Sequence, residues 1–198
     1  MARVRLRPYS AGFSESELRA LYRWALDEEI QRLSGGRTLE LPYPRFKELF
    51  LVQLPRHNTV HEQLFAVMDE QDEMIGRGGL FRIDRAAHRA ELGLVIGERS
   101  RWGKGYGREA VRALIHFAAS ELALRRVLLY TYPDNHRAQR AFSAAGFRPV
   151  RELRRFSFDR GTHWELEMAF DVAGDKPAPS SALGDAAGGD REDGTWTS

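Results

Sequence analysis

The stretch Trp102-Gly103-Lys104-Gly105-Tyr106-Gly107-Arg108 holds the residues whose spacing points most directly to chemistry. Glycines alternate with other residues and run straight into a helix-forming segment. Glycine accepts positive φ and lets a ligand approach the main chain. A helix start presents unpaired N–H groups at the positive end of its dipole. Together these features describe a seat for an anion, phosphate above all, met mainly by main-chain amides. Lys104 and Arg108 would assist; without a ligand they are solvent-facing charges at the less favourable end of a helix. The turn is not a dinucleotide fingerprint, because Glu98–Arg101 separates it from the strand candidate Glu91–Gly97 and no acidic ribose partner follows at the expected distance. Nor is it a P-loop, since Lys104 lies between glycines and no Lys-Ser or Lys-Thr pair closes it. Cysteine is absent and the six histidines are scattered. Thiolate ligands and a cysteine-linked acyl intermediate are therefore excluded, and metal catalysis is disfavoured.

The segments around this turn must position it. Val4, Leu6 and Pro8 alternate with Arg3, Arg5 and Arg7, as in a short edge strand with a basic outer face. Ser14 with Glu17 forms a capping box for a helix carrying Leu18, Leu21, Tyr22, Ala25 and Leu26. Leu33–Pro44, with two glycines and two prolines, breaks regular structure, and Phe46, Leu49, Phe50 and Leu54 make a second helical stripe. These helices read as a flap over one end of a sheet. Gln63–Met68 and Glu73–Ile83 read as strands joined by an acidic turn at Asp69–Asp72, with a bend or bulge expected at Gly76, Gly78 and Gly79. Ala90, Leu92, Leu94 and Ile96 alternate with Glu91, Gly93 and Val95, a clean period-two strand. Past the glycine turn, Ala110, Val111, Leu114, Ile115, Phe117 and Ala118 share a helix face. Arg126–Tyr132 is a strand. Asn135 caps a helix that ends at Gly146. Phe147–Phe158 and Thr162–Phe170 form a hairpin about Asp159-Arg160-Gly161. The order implies a mixed α/β fold.

At 198 residues, 42% apolar and 29% charged, the chain fits one core of an ordinary soluble domain. No run suits a membrane span, and the N-terminus is not a secretory h-region. The lack of cysteine fits a cytoplasmic location. Composition changes after Asp171: residues 172–198 are rich in Gly, Ala, Ser, Pro and acids, with Trp196 the sole aromatic residue. The reading is one domain over residues 1–171 and a disordered tail over 172–198. Five acids against two bases in that tail turn the formal +2 of the whole chain into about +5 over residues 1–171, a surplus that attracts an anionic cofactor or substrate. No reading helix or aromatic strand motif argues for nucleic acid.

Glu91–Gly97, Trp102-Gly103-Lys104-Gly105-Tyr106-Gly107, Asn135-His136-Arg137-Ala138 and Ala145-Gly146-Phe147 follow one another in the order and spacing of the GNAT acyltransferases, which this sequence resembles over roughly Val4–Asp171. Within that superfamily it is similar to the branch of ribosomal-protein N-terminal and diamine acetyltransferases. The resemblance implies a mixed, mostly antiparallel central sheet flanked by helices, with splayed strands forming an acyl-CoA site. It implies acetyl-CoA as co-substrate, with Leu94, Val95 and Ile96 pairing with the pantetheine arm and Gly103, Lys104, Gly105, Tyr106, Gly107 and Arg108 seating the phosphates. Asn135 would lie near the far end of that arm, cap its helix, or do both.

The family pattern has Arg or Gln where Trp102 stands, so Trp102 is read as a packing residue or a lid. Glu91 is the leading general base, directly or through water; alternatively it is a partner for Arg77 or Arg82. His88, and the pair His163 and Glu165, are further candidates. The tyrosine acid of many relatives is replaced by Phe142, which leaves the acid unassigned. The implied activity is transfer of acetyl to a primary amine, either a small molecule or polyamine or a peptide N-terminus. Glu28, Glu29, Glu40 and Glu48 on the flap would suit a cationic acceptor if they face inward. A non-catalytic acyl-CoA sensor is the alternative, and a homodimer is left open.

Overall fold

The computed structural model describes residues 3–157 and 161–172. The expected tail lies outside the described residues except for Val172, whose N–H donates to the Arg125 carbonyl at 2.9 Å. Asp159 and Arg160 of the expected hairpin turn lie outside them too.

Seven strands, β1 (Arg5–Pro8), β2 (Gln63–Met68), β3 (Met74–Asp84), β4 (Arg89–Ile96), β5 (Arg126–Thr131), β6 (Arg148–Ser157) and β7 (Gly161–Asp171), form one sheet in the order β1-β2-β3-β4-β5-β7-β6. Every neighbouring pair is antiparallel except β4 with β5. Helices α1 (Glu15–Leu26), α2 (Glu28–Ser34) and α3 (Tyr43–Gln53) precede β2; α4 (Tyr106–Ser120) joins β4 to β5, and α5 (His136–Ala144) joins β5 to β6. The β4–α4–β5 crossover forces the one parallel pair, since parallel strands need a connection long enough to return to the same end.

Strand alternation divides the apolar residues between two layers. Ala90 and Leu92 of β4 meet Val111, Leu114 and Ala118 of α4 in one core, and Phe142 of α5 closes that core with Phe147 and Met168. Val95, of opposite parity, joins Leu18, Leu21 and Trp24 of α1 and Phe46 and Phe50 of α3 on the other face. The sheet is thus covered by α1–α3 on one side and by α4 and α5 on the other.

Local signals act where they were expected. Ser14 accepts from the Glu17 N–H while Glu17 accepts from the Ser14 N–H, completing the capping box. β1 is an edge strand, but its arginines are not simply solvated: Arg5 pairs with Asp72 at 2.6 Å and Arg7 with Glu17 at 2.8 Å, and Arg3, just before the strand, pairs with Glu109. The break expected over Leu33–Pro44 falls between the end of α2 at Ser34 and the start of α3 at Tyr43. Helix α2 itself was not expected: α1 stops at Leu26, Asp27 turns the chain and caps α2 by accepting from the Ile30 N–H at 3.0 Å, and Gly35 in the left-handed region ends it. The bend or bulge expected of this strand is present in β3. Against β2, Val67 pairs with Gly76 and Met68 with Met74, which leaves Ile75 as the extra residue beside Gly76; against β4 the register shifts between Phe81 and Asp84, where Arg82 adopts φ 46°. Gly76 also serves close approach, because a Cβ there would collide with the Val95 carbonyl of β4.

Candidate active site

The parallel pairing of β4 with β5 is short. It joins Arg89 to Arg126, Ala90 to Val127 and Glu91 to Leu128, and stops. β4 continues to Ile96 beside β3, and β5 continues to Thr131 beside β7, so the two strands diverge. Leu92–Ile96 consequently has a partner strand on one side only, within the middle of a sheet. An unpaired edge there can take another extended, amide-bearing chain as an added strand.

A cleft of about 610 Å³ opens along this edge. Leu94, Val95 and Ile96 form one wall and the glycine turn one end, through Gly103, Lys104, Gly105, Gly107 and Arg108. Gly103 and Gly105 have φ of 72° and 91°, the region in which a side chain is strained. Gly105 is the N-cap of α4 and offers no side-chain cap. The first-turn N–H groups of α4 are thereby left for a ligand at the positive end of the helix.

Charge in the cleft is one-sided. Arg101, Lys104, Arg108, Arg137 and Arg140 line it. Arg101 is held by Asp69 at 2.5 Å and reaches Glu73 at 3.5 Å. Among the described residues no carboxylate pairs with the other four, and Nε of Arg108 is buried without a hydrogen-bond partner. Burial lowers the pKa of the Arg137 guanidinium, yet an arginine remains protonated. Four cations without an ion-paired carboxylate among the described residues, beside a helix start with no side-chain cap, give the cleft a positive potential that favours an anion.

The far wall comes from α2 and α5. Ile30, Leu33 and Ser34 of α2 line the cleft, as do Ala138, Ala141 and Phe142 of α5. Asn135 also lines it and uses both ends of its amide within the protein: Oδ1 accepts from the Ala138 N–H at 3.1 Å, and Nδ2 donates to the Leu33 carbonyl at 3.3 Å. It therefore caps α5 and ties α2 to it. Arg32 and Asp134 add an ion pair at 3.0 Å between the same segments.

Of the residues singled out in the sequence for cofactor contact, Tyr106 alone does not line the cleft. Its ring is buried with Val4, Val67 and Ile75. Its hydroxyl donates to Glu70 at 2.8 Å, and that hydrogen bond raises the Tyr106 pKa. Only its main chain belongs to the turn. Glu91 also stands apart from the cleft lining. It is the last β4 residue paired with β5, at the apex of the divergence, and its carboxylate forms an ion pair with Arg82. Nε2 of His163 lies 3.2 Å from Glu165 on β7, and its ring is 5.8 Å from that of Tyr132; none of the three lines the cleft. His88 is turned to the Ala123 carbonyl at 3.1 Å. Glu28, Glu40 and Glu48 are exposed and Glu29 pairs with Arg99, so the flap carboxylates do not converge on the cleft. Among the described residues no group of three or more His, Asp or Glu side chains is arranged to hold a metal, and no helix is long and apolar enough to cross a membrane.

The α2 wall and the cations of α5 were not anticipated. Arg137 and Arg140 are three apart on the helix that Asn135 opens, a spacing that puts them on one face and that could have been read from the sequence. Seven-residue α2 is too short to leave a periodic signal.

Residues 3–148 match the family described as acetyltransferase (GNAT) domain. The chain belongs to that family. It is 26% identical over 162 residues to spermidine N(1)-acetyltransferase of Vibrio cholerae, covering 79% of this chain and 92% of the relative. It is 34% identical over 102 residues to an uncharacterized N-acetyltransferase of Bacillus licheniformis, p20, covering 52% of this chain and 57% of the relative. The crystal structure of the Vibrio cholerae spermidine N-acetyltransferase in complex with CoA and spermine superposes with a TM-score of 0.70 at 21% identity, over 86% of this chain and 96% of that one. The agreement establishes the α/β fold with its seven-stranded, mostly antiparallel sheet.

Proposed function

We propose that this protein transfers the acetyl group of acetyl-CoA to a primary amine by direct attack of the amine on the thioester. The observation that carries the reading is the open edge of β4 leading into the uncapped start of α4, beside four cations without carboxylate partners among the described residues. CoA is a polyanion at one end and an amide-bearing chain at the other, and the cleft has complementary features in that order. Phosphates would meet Gly103–Arg108, with Lys104 and Arg108 adding charge. The pantetheine amides would pair along Leu94–Ile96 as an added strand.

Holding amine and thioester together removes much of the entropic barrier. A main-chain N–H of the open strand stabilises the tetrahedral oxyanion. Glu91 at the apex takes the amine proton through water, since its carboxylate does not itself line the cleft. Phe142 cannot protonate the departing thiolate, and a thiolate leaves readily without an acid. No cysteine exists to form an acyl-enzyme.

The acceptor is a small-molecule amine, polyamines first, because similarity in both sequence and fold leads to spermidine acetyltransferases. The absence of cysteine supports action in the cytoplasm. The test is release of CoA thiol from acetyl-CoA across spermidine, spermine, aminoglycosides, amino acids and peptides with free N-termini. Turnover is expected with a polyamine. Turnover only with peptides would move the acceptor to a protein N-terminus. Acetyl-CoA binding without turnover on any amine would favour a sensor.

A further inference from the structure

Trp102 occupies the place where the family pattern has a polar side chain, and it is joined to three walls of the cleft at once. Its indole Nε1 donates to the Ile96 carbonyl at 2.6 Å, at the end of the open strand. The Arg137 guanidinium of α5 lies over its ring at 3.5 Å from the centroid. The Arg99 guanidinium lies 5.1 Å from the centroid and is itself fastened to Asp27 and Glu29 at the junction of α1 and α2.

We infer that Trp102 is a positioning residue for the acyl cofactor, which fixes the open end of β4 and presents Arg137 to an anionic group of the ligand. The inference rests on the acetyl-CoA reading above. A guanidinium held over an aromatic ring is attracted through its face and does not use its N–H donors on a carboxylate, so they remain available to oxygen. Among the described residues no carboxylate takes them, although Arg137 lines the cleft. The indole N–H performs a different task. The Ile96 carbonyl belongs to the strand edge that has lost β5 as a neighbour, and a donor from the loop after the strand holds that edge in place. A side chain acting only as packing would require neither the hydrogen bond nor the stacked cation.

The test compares Trp102→Phe, Trp102→Leu, Arg137→Gln and the double variants by calorimetric titration with CoA, by the steady-state constants for acetyl-CoA, and by thermal melting. Trp102→Phe keeps an aromatic face and loses the N–H, so CoA should bind about fivefold more weakly, the scale of one ordinary hydrogen bond. Trp102→Leu also removes the stacking surface and should lose about fivefold more. In the Arg137→Gln background the step from Phe to Leu should have no further effect, because the stacked cation is already gone. The losses should fall on KM for acetyl-CoA rather than on kcat. Equal CoA affinity in wild type, Trp102→Phe and Arg137→Gln would overturn the inference, as would a lowered melting temperature with no change in KM. If Trp102→Leu does not fold, the two conservative variants decide the matter. Failure of the wild-type protein to bind CoA would instead strike the acetyl-CoA reading itself.

Discussion

Gly107→Val separates a working anion seat from a turn that is merely rich in glycine. Gly107 lies in the first turn of α4 with negative φ, so a side chain brings no backbone strain. A Cβ added there would stand 3.8 Å from Cγ1 of Ile96 and 3.9 Å from Cβ of Ala141, both ordinary contact distances. Alanine therefore fits, and within a helix it gains about 0.5–1 kcal/mol of stability over glycine. Valine places two methyls about 1.5 Å beyond Cβ, with χ1 held near one rotamer by the helix. Those methyls must either press on Ile96 and Ala141, an overpacking cost of about 1–3 kcal/mol, or stand over the first-turn amides in the cleft. Either way the anion loses its close approach. Gly107→Ala should bind acetyl-CoA within about threefold of wild type, and Gly107→Val at least about tenfold more weakly, or about 1.4 kcal/mol. Calorimetric titration gives the affinities, and thermal melting shows that each variant is folded. A folded Gly107→Val that binds acetyl-CoA like wild type would refute the seating of phosphate at this turn.

Two further outcomes are expected. Glu91→Gln should lower turnover at neutral pH while leaving acetyl-CoA affinity nearly unchanged, because Glu91 stands at the apex of the cleft and not among its lining residues; an unaltered single-turnover rate across the pH profile would remove it as the base. At the α1–α2 corner, the hydrogen bond from Arg99 lowers the Asp27 pKa below the ordinary aspartate value. A carboxylate whose folded pKa is depressed contributes its stability in full above the unfolded value, about 3.9, and loses it as pH falls toward the folded one. Asp27→Asn keeps an N-cap acceptor but not the charge, so it should melt below wild type at neutral pH and converge with it under acid below about pH 4. A constant difference across that range would show that the ion pair with Arg99 adds nothing.

Much of the frame was legible because it depends on neighbours in sequence. Ser14 and Asn135 announce helix starts since a side-chain oxygen can reach an N–H three residues on, and both do so here. The alternation of Ala90, Leu92 and Leu94 with Glu91, Gly93 and Val95 reports β4 because side chains of a strand point to opposite faces. The glycine turn, too, was readable as the uncapped start of a helix, with Gly103 and Gly105 at positive φ.

Relations between distant segments left no such trace. Gly76, Gly78 and Gly79 signalled a bulge in β3, but not that Ile75 would be the extra residue, nor that the Val95 carbonyl lies where a Cβ of Gly76 would stand. Asp27 breaks one helix and caps the next, yet α2 became a wall of the cleft through Asn135 and Arg32, whose partners are about a hundred residues apart along the chain.

By itself the sequence determined most of the elements, the caps at Ser14 and Asn135 and the α/β order, which follow from local spacing and residue type, and it carried the resemblance that points to the family. Tertiary structure alone decided that β4 and β5 part after Glu91, that Arg137 stacks on Trp102, and that Tyr106 turns into the core while its neighbours face the cleft. Each of these is a choice among partners brought together by the packing of helices on both faces of the sheet, and periodicity along one segment carries no information about which partner wins.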